Sequence, residues 1–98
     1  MLLEVITPDQ LLFKGSVTHV QLPGLDGSFG ILNNHAPLIS ALKKGTVKVD
    51  QVVAENSNID EDEAGSLNNT HKNDATFTFE INGGVIEVKD NKIMLLAE

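Results

Sequence analysis

Residues 76–96 are TFTFEINGGVIEVKDNKIMLL. Phe77, Phe79 and Ile81 alternate with Thr76, Thr78 and Glu80, which makes one side of this segment apolar and the other polar, the period of a half-buried strand. Asn82-Gly83-Gly84 then turns the chain, Val85 to Lys89 forms a second strand, and Asp90-Asn91 is a two-residue hairpin turn into a third, Lys92 to Leu96. Strands following one another this closely, with no helix between them, point to antiparallel pairing.

The same grammar holds upstream. Thr46 to Val52 alternates, with Val47 and Val49 opposite Lys48 and Asp50. Lys43-Lys44-Gly45 is a turn, and Leu38 to Leu42 and Phe29 to Leu32 are short apolar strands. From Ser16 to Leu22, Thr18, Val20 and Leu22 share one face, and Val17, His19 and Gln21 the other. Leu2 to Ile6 is a strand closed by Thr7-Pro8-Asp9, and Gln10 to Phe13 is another, ended by a turn at Lys14-Gly15. Nowhere do apolar residues recur at helical spacing over ten or more positions. The fold class is all-β, a sandwich or barrel of short, mostly antiparallel strands. Its core is expected from Val5, Val20, Leu22, Val47, Val49, Phe77, Phe79, Ile81, Val88, Ile93 and Leu95.

The 98 residues make one small domain, 1–98. Residues 54–75, AENSNIDEDEAGSLNNTHKNDA, break the pattern: they are polar and acidic, with Ile59 and Leu67 as isolated larger apolar groups. Ordering them buries too little apolar surface to offset the entropy, so a flexible acidic insertion is expected here. Cysteine is absent, so no disulfide or thiolate metal site supports the fold. A net charge of -7, with seven cationic residues, all lysine, argues against nucleic acid and against direct adhesion to anionic lipid. No leader or membrane-spanning run is apparent, and a soluble protein is expected.

No catalytic or cofactor constellation emerges. Gly24, Gly27 and Gly30 lack the lysine and following helix of a phosphate cradle. Asp60 to Gly65 imitates the start of a calcium loop but has Ala64 and His71 where ligands are required. His19, His35 and His71 have no metal-pair spacing, and the sequon at Asn68 has no secretory context. Catalytic residues, cofactors and metals are therefore expected to be none. A small cupin-like metal enzyme would need clustered His and Glu ligands. His35 precedes Ala36-Pro37 in the turn-rich stretch and either holds its loop by bonding to backbone or packs against a partner.

That stretch, Leu22 to Leu38, is LPGLDGSFGILNNHAPL. It closely resembles the signature of the epsilon subunit of bacterial F-type ATP synthases, called delta in mitochondria. The flanking LLEVITPDQLLFKG, ALKKGTVKV and GGVIEVKDNKIMLLAE are similar in matching order. The resemblance implies a flattened β-sandwich and a non-catalytic rotor subunit of the central stalk, coupling the turning of a proton-driven c-ring to the gamma subunit. It implies as partners gamma, the polar loops of the c-ring and the alpha and beta subunits, with membrane contact only through the complex. The location implied is the cytoplasmic face of the bacterial inner membrane.

By position, the resemblance assigns Thr7, His35, Leu38 and Ser40 to the gamma side and Asp26, Gly27, Ser28 and Phe29 to the c-ring side. Many relatives have an acidic residue where this chain has Ser28. Many also continue into a two-helix inhibitory hairpin, which this sequence is expected to lack. The alternative reading is a free-standing β-sandwich adaptor for some other protein.

Overall fold

The computed structural model describes residues 1–60 and 62–98. Its strands are β1 (Leu2–Ile6), β2 (Leu11–Gly24), β3 (Gly27–Leu32), β4 (Leu38–Leu42), β5 (Gly45–Gln51), β6 (Thr76–Ile81), β7 (Gly84–Lys89) and β8 (Lys92–Ala97). Two short helices, α1 (Val53–Asn56) and α2 (Ser66–Thr70), lie between β5 and β6. All eight strands join one sheet in the order β1-β8-β7-β4-β2-β5-β6, with β3 on β2 and a further β1–β2 pairing. That last pairing returns the sheet to its first strand and folds it over its own core. The β1–β8 pair is parallel and the others are antiparallel.

The alternating positions supply the interior. Val5, Val20, Leu22, Val47, Val49, Phe77, Ile81, Val88, Ile93 and Leu95 are buried as expected, joined by Leu3, Phe13, Val17, Ile31, Leu42, Ile86 and Ala97. Phe79 is only partly buried and packs against this cluster. The hairpin turn is at Asp90-Asn91, both with positive φ (51° and 60°), and Lys89 pairs with Lys92 across it.

Two local expectations are corrected. Lys14-Gly15 does not turn: β2 runs through it, paired with β1 at Leu3, and Gly15 lies too close to the Asn56 side chain to admit a Cβ. Val17 is buried and Thr18 exposed, the opposite of simple alternation, because the β2–β5 register shifts between Val17 and His19. A bulge of this kind inverts the facing of the residues beyond it. Residues 54–75, expected to be a flexible acidic insertion, contain α2 and most of α1; residue 61, within that expectation, lies outside the described residues. Apolar burial is indeed slight there, but Leu67 packs on the core and side-chain amides tie the segment to β2.

Candidate interaction surfaces

Strand register shows which residues face away from the core. Across β4, β7, β8 and β1, Ala41 pairs with Val85, Val85 with Leu96, and Leu96 with Ile6, forming one apolar row. The next outward row is Ile39, Glu87, Met94 and Glu4. Ile39 is 72% exposed, Leu96 50% and Val85 42%, and these three lie on this one face. Large apolar side chains grouped so openly make this face a candidate interaction surface. Towards Lys92 the face becomes charged, and Lys92 Nζ lies 3.6 Å from Glu4 Oε1.

Thr7 stands at the apolar end of this face. Ile6, Thr7, Pro8, Val85 and Leu96 line a groove of about 440 Å³. The Thr7 hydroxyl accepts the Gln10 N–H at 3.2 Å, and the Thr7 N–H donates to the Gln10 carbonyl at 2.9 Å, closing the turn after β1. Leu38 lies at the other end of the same sheet, paired with Val88, where Pro37, Leu38, Ile39 and Lys89 line a second depression of about 360 Å³.

His35 is exposed at that second end. Its Nδ1 is 2.7 Å from the Ala36 carbonyl, so the ring engages its own loop. The loop is anchored by Asn91: the Asn34 N–H donates to Asn91 Oδ1 at 2.7 Å, and Asn91 Nδ2 donates to Asn33 Oδ1 at 2.8 Å. Asn34 adopts φ 62°, which asparagine tolerates better than most residues.

The hairpin between β2 and β3 carries the remaining candidates. Leu25-Asp26 forms its tip between the paired Gly24 and Gly27, and Gly27 has φ 128°, a conformation that favours glycine. Leu25, 64% exposed, projects beside Asp26. Ser28 accepts a hydrogen bond from Gln21 Nε2 at 2.6 Å, and Phe29 packs against the core. Asp26, Gly27, Ser28 and Phe29 share a depression of about 360 Å³ with Ser40. Gly24 pairs with Leu42, and Leu42 with Gly84, so the hairpin base lies at the same end of the sheet as Thr7.

The eight candidate residues are therefore grouped differently from the two sets assigned by resemblance. Thr7 is at the hairpin's end of the sheet, Ser40 adjoins the hairpin, and His35 and Leu38 are at the far end. Strand parity also directs Leu38 and Ser40 to the opposite side of β4 from Ile39 and Ala41. Ile39, Ala41, Val85 and Leu96 were not among the candidates, although Ile93–Ala97 is apolar at every position and Leu38–Leu42 at every position but Ser40, and a strand apolar at successive positions has apolar groups on both faces.

A model of the ATP synthase delta/epsilon chain β-sandwich domain matches residues 1–60. The chain belongs to the ATP synthase delta/epsilon family. It is 41% identical over 96 residues to the ATP synthase epsilon chain of Chlorobium limicola, an alignment spanning 98% of this chain and 86% of that one. Against the epsilon chain of Desulforamulus reducens it is 34% identical over 96 residues, spanning 98% of this chain but only 57% of that relative. Among solved structures, a chain of the Tetrahymena thermophila mitochondrial ATP synthase central stalk and c-ring has the same fold, with a TM-score of 0.66 at 18% identity, covering 99% of this chain and 62% of that one. A chain of the Euglena gracilis mitochondrial assembly of OSCP, F1 and c-ring matches with a TM-score of 0.69 at 18% identity, covering 97% and 48%. The alignments run along nearly the whole of this chain, and several of these relatives are longer.

Proposed function

We propose that this member of the delta/epsilon family is a central-stalk subunit of a proton-translocating F-type ATP synthase, a rotor component that couples c-ring rotation to gamma and performs no chemistry itself. The observation that carries the reading is the open apolar face of β4, β7, β8 and β1 in a chain related along nearly its whole length to epsilon chains. A coupler needs a stiff body and a partner held without slippage. Close packing between the sheet layers supplies the first. Burial of Ile39, Val85 and Leu96 against gamma supplies the second.

In this arrangement Thr7 borders the gamma contact and Leu38 and His35 flank its other end. The hairpin Asp26, Gly27, Ser28 and Phe29, with Leu25 beside them, meets the polar loops of the c-ring. Asp26 supplies the carboxylate that many relatives have at the position of Ser28. No helix among the described residues is long and apolar enough to cross a membrane, and membrane association is through the complex, at the cytoplasmic face of the bacterial inner membrane. Contact with alpha and beta is made within the same assembly.

The test is co-purification with the cognate gamma subunit. The wild-type chain is retained, and Leu96→Glu, which places a carboxylate in the apolar contact, is not, although its sheet stays folded. Failure of the folded wild-type chain to bind gamma removes this reading and leaves the free-standing adaptor.

A further inference from the structure

The edge of β2 that faces away from β1 is completed in two ways. From Gln21 to Val17 it pairs with β5, and the Val52 N–H then donates to the Ser16 carbonyl at 3.0 Å before the chain leaves the sheet. Beyond that point, side chains take over. The Ser16 N–H donates to Asn56 Oδ1 at 2.6 Å, and Asn56 Nδ2 donates to the Ser16 carbonyl at 2.9 Å. Two residues along, the Lys14 N–H donates to Asn68 Oδ1 and Asn68 Nδ2 donates to the Lys14 carbonyl, both at 2.9 Å. A carboxamide carries the same donor and acceptor as a peptide unit, so each asparagine satisfies one residue of the edge as a neighbouring strand would.

The rest of the segment is shaped to hold those amides in place. Buried Gln51 accepts from Asn56 Nδ2 at 2.9 Å and donates to the carbonyls of His71 and Asp74, each at 2.7 Å. Asn68 Oδ1 also accepts the Gly65 N–H at 2.9 Å. A Cβ on Gly65 would lie 2.2 Å from the Leu12 carbonyl, and one on Gly15 would lie 2.6 Å from Asn56 Oδ1. The His71 ring stacks on Phe77 at 4.6 Å, fixing the segment where it re-enters β6. Outward of these contacts stand the exposed carboxylates of Glu55, Asp60, Asp62 and Glu63.

We propose that the described residues of the segment, 53–60 and 62–75, form a strap that replaces a missing edge strand along residues 12–16 of β2 and thereby keeps a second copy of this chain from pairing there. A bare strand edge accepts another strand through backbone groups alone. Another copy has a complementary edge to offer, because β6 pairs only with β5 among the described residues. It also carries a net charge of -7, which the strap's carboxylates repel. Amide mimicry closes the edge and like charge guards it, both directed against the same acidic strand-bearing partner.

The test combines site-resolved hydrogen exchange with sedimentation velocity on the full chain. In the wild type the Lys14 and Ser16 amides are protected and the chain sediments as a monomer. Two variants release the strap by different routes: Asn56→Ala with Asn68→Ala removes the amides, whereas Gly65→Ala keeps them and drives the backbone from Leu12. Both are expected to speed exchange at Lys14 and Ser16 by roughly tenfold or more while Val5 and Val47 stay protected, and both are expected to form dimers. Unchanged exchange at Lys14 and Ser16 in both variants overturns the strap. Faster exchange without dimers overturns its role against a second copy. Loss of protection at Val5 and Val47 in both variants overturns a detachable strap, since the segment is then inseparable from the sheet.

Discussion

The sandwich has two outward surfaces built on the same strand grammar, and they are finished differently. Across β3, β2, β5 and β6, the outward positions include Gln21, Lys48, Thr78, Asp50 and Thr76, with Leu32 as the large apolar exception. These groups engage one another: Thr76 donates to Asp50 Oδ1 at 2.6 Å, Asp50 Oδ2 lies 3.4 Å from His19 Nδ1, and Thr46 donates to Glu80. Across β4, β7, β8 and β1, Ile39, Val85 and Leu96 have no such mutual satisfaction and face outwards as hydrocarbon. One surface is polar almost throughout, and the other sets Ile39, Val85 and Leu96 in the open beside Glu87 and the Lys92–Glu4 pair.

The largest expected effect separates a core position from its neighbour on the apolar face. Leu95→Ala should destabilise the chain by about 2–5 kcal/mol, because a fully buried leucine leaves a cavity, whereas Leu96→Ala, half-exposed on the same strand, should cost under about 1 kcal/mol in urea unfolding. Equal losses would mean that Leu96 is already covered within the chain. Next, Leu96→Glu should weaken gamma binding by roughly 100-fold through burial of an unpaired carboxylate, with Thr78→Lys on the polar face leaving it unchanged, as measured by titration calorimetry. If the two substitutions weaken gamma equally, the faces do not differ in function.

A smaller effect distinguishes the ends of the apolar face. Asn91→Ala removes the bonds to Asn33 and Asn34 and puts alanine at φ 60°, and should lower stability by about 1–2 kcal/mol while sparing the gamma contact proposed at Leu96. Loss of gamma binding in that variant would move the contact towards His35. The smallest change is expected on the polar face, where Thr76→Val removes the bond to Asp50 and should cost about 0.5–1 kcal/mol by thermal unfolding, with no effect on gamma.

The strands and most of the core were legible because alternation is a local property. Thr46 to Val52 and Thr76 to Ile81 show their buried faces two residues at a time, and Asp90-Asn91 announces its turn by residue type. Local rules failed where a distant group changed the meaning of a residue. Lys14-Gly15 has turn chemistry in isolation, but Gly15 is small because Asn56 lies against it. Thr18 and Val17 exchanged facings because β5 pairs across a bulge. Asn56 and Asn68 look like ordinary loop asparagines until β2 is beside them.

The same division applies to the candidate contacts. Order of motifs along the chain established the family and drew attention to Thr7, Asp26–Phe29, His35, Leu38 and Ser40, but could not group them in space. Strand pairing then set Ser40 beside the hairpin and Thr7 at the hairpin's end of the sheet, and turned Ile39, Val85 and Leu96 outwards together. By itself the sequence determined an all-β chain, its alternating core and its family, because each depends on residue type and spacing along one strand or turn. Only the tertiary structure decided which apolar residues were left without cover and which side chains closed the edge of β2, because both depend on pairing between segments far apart in the chain.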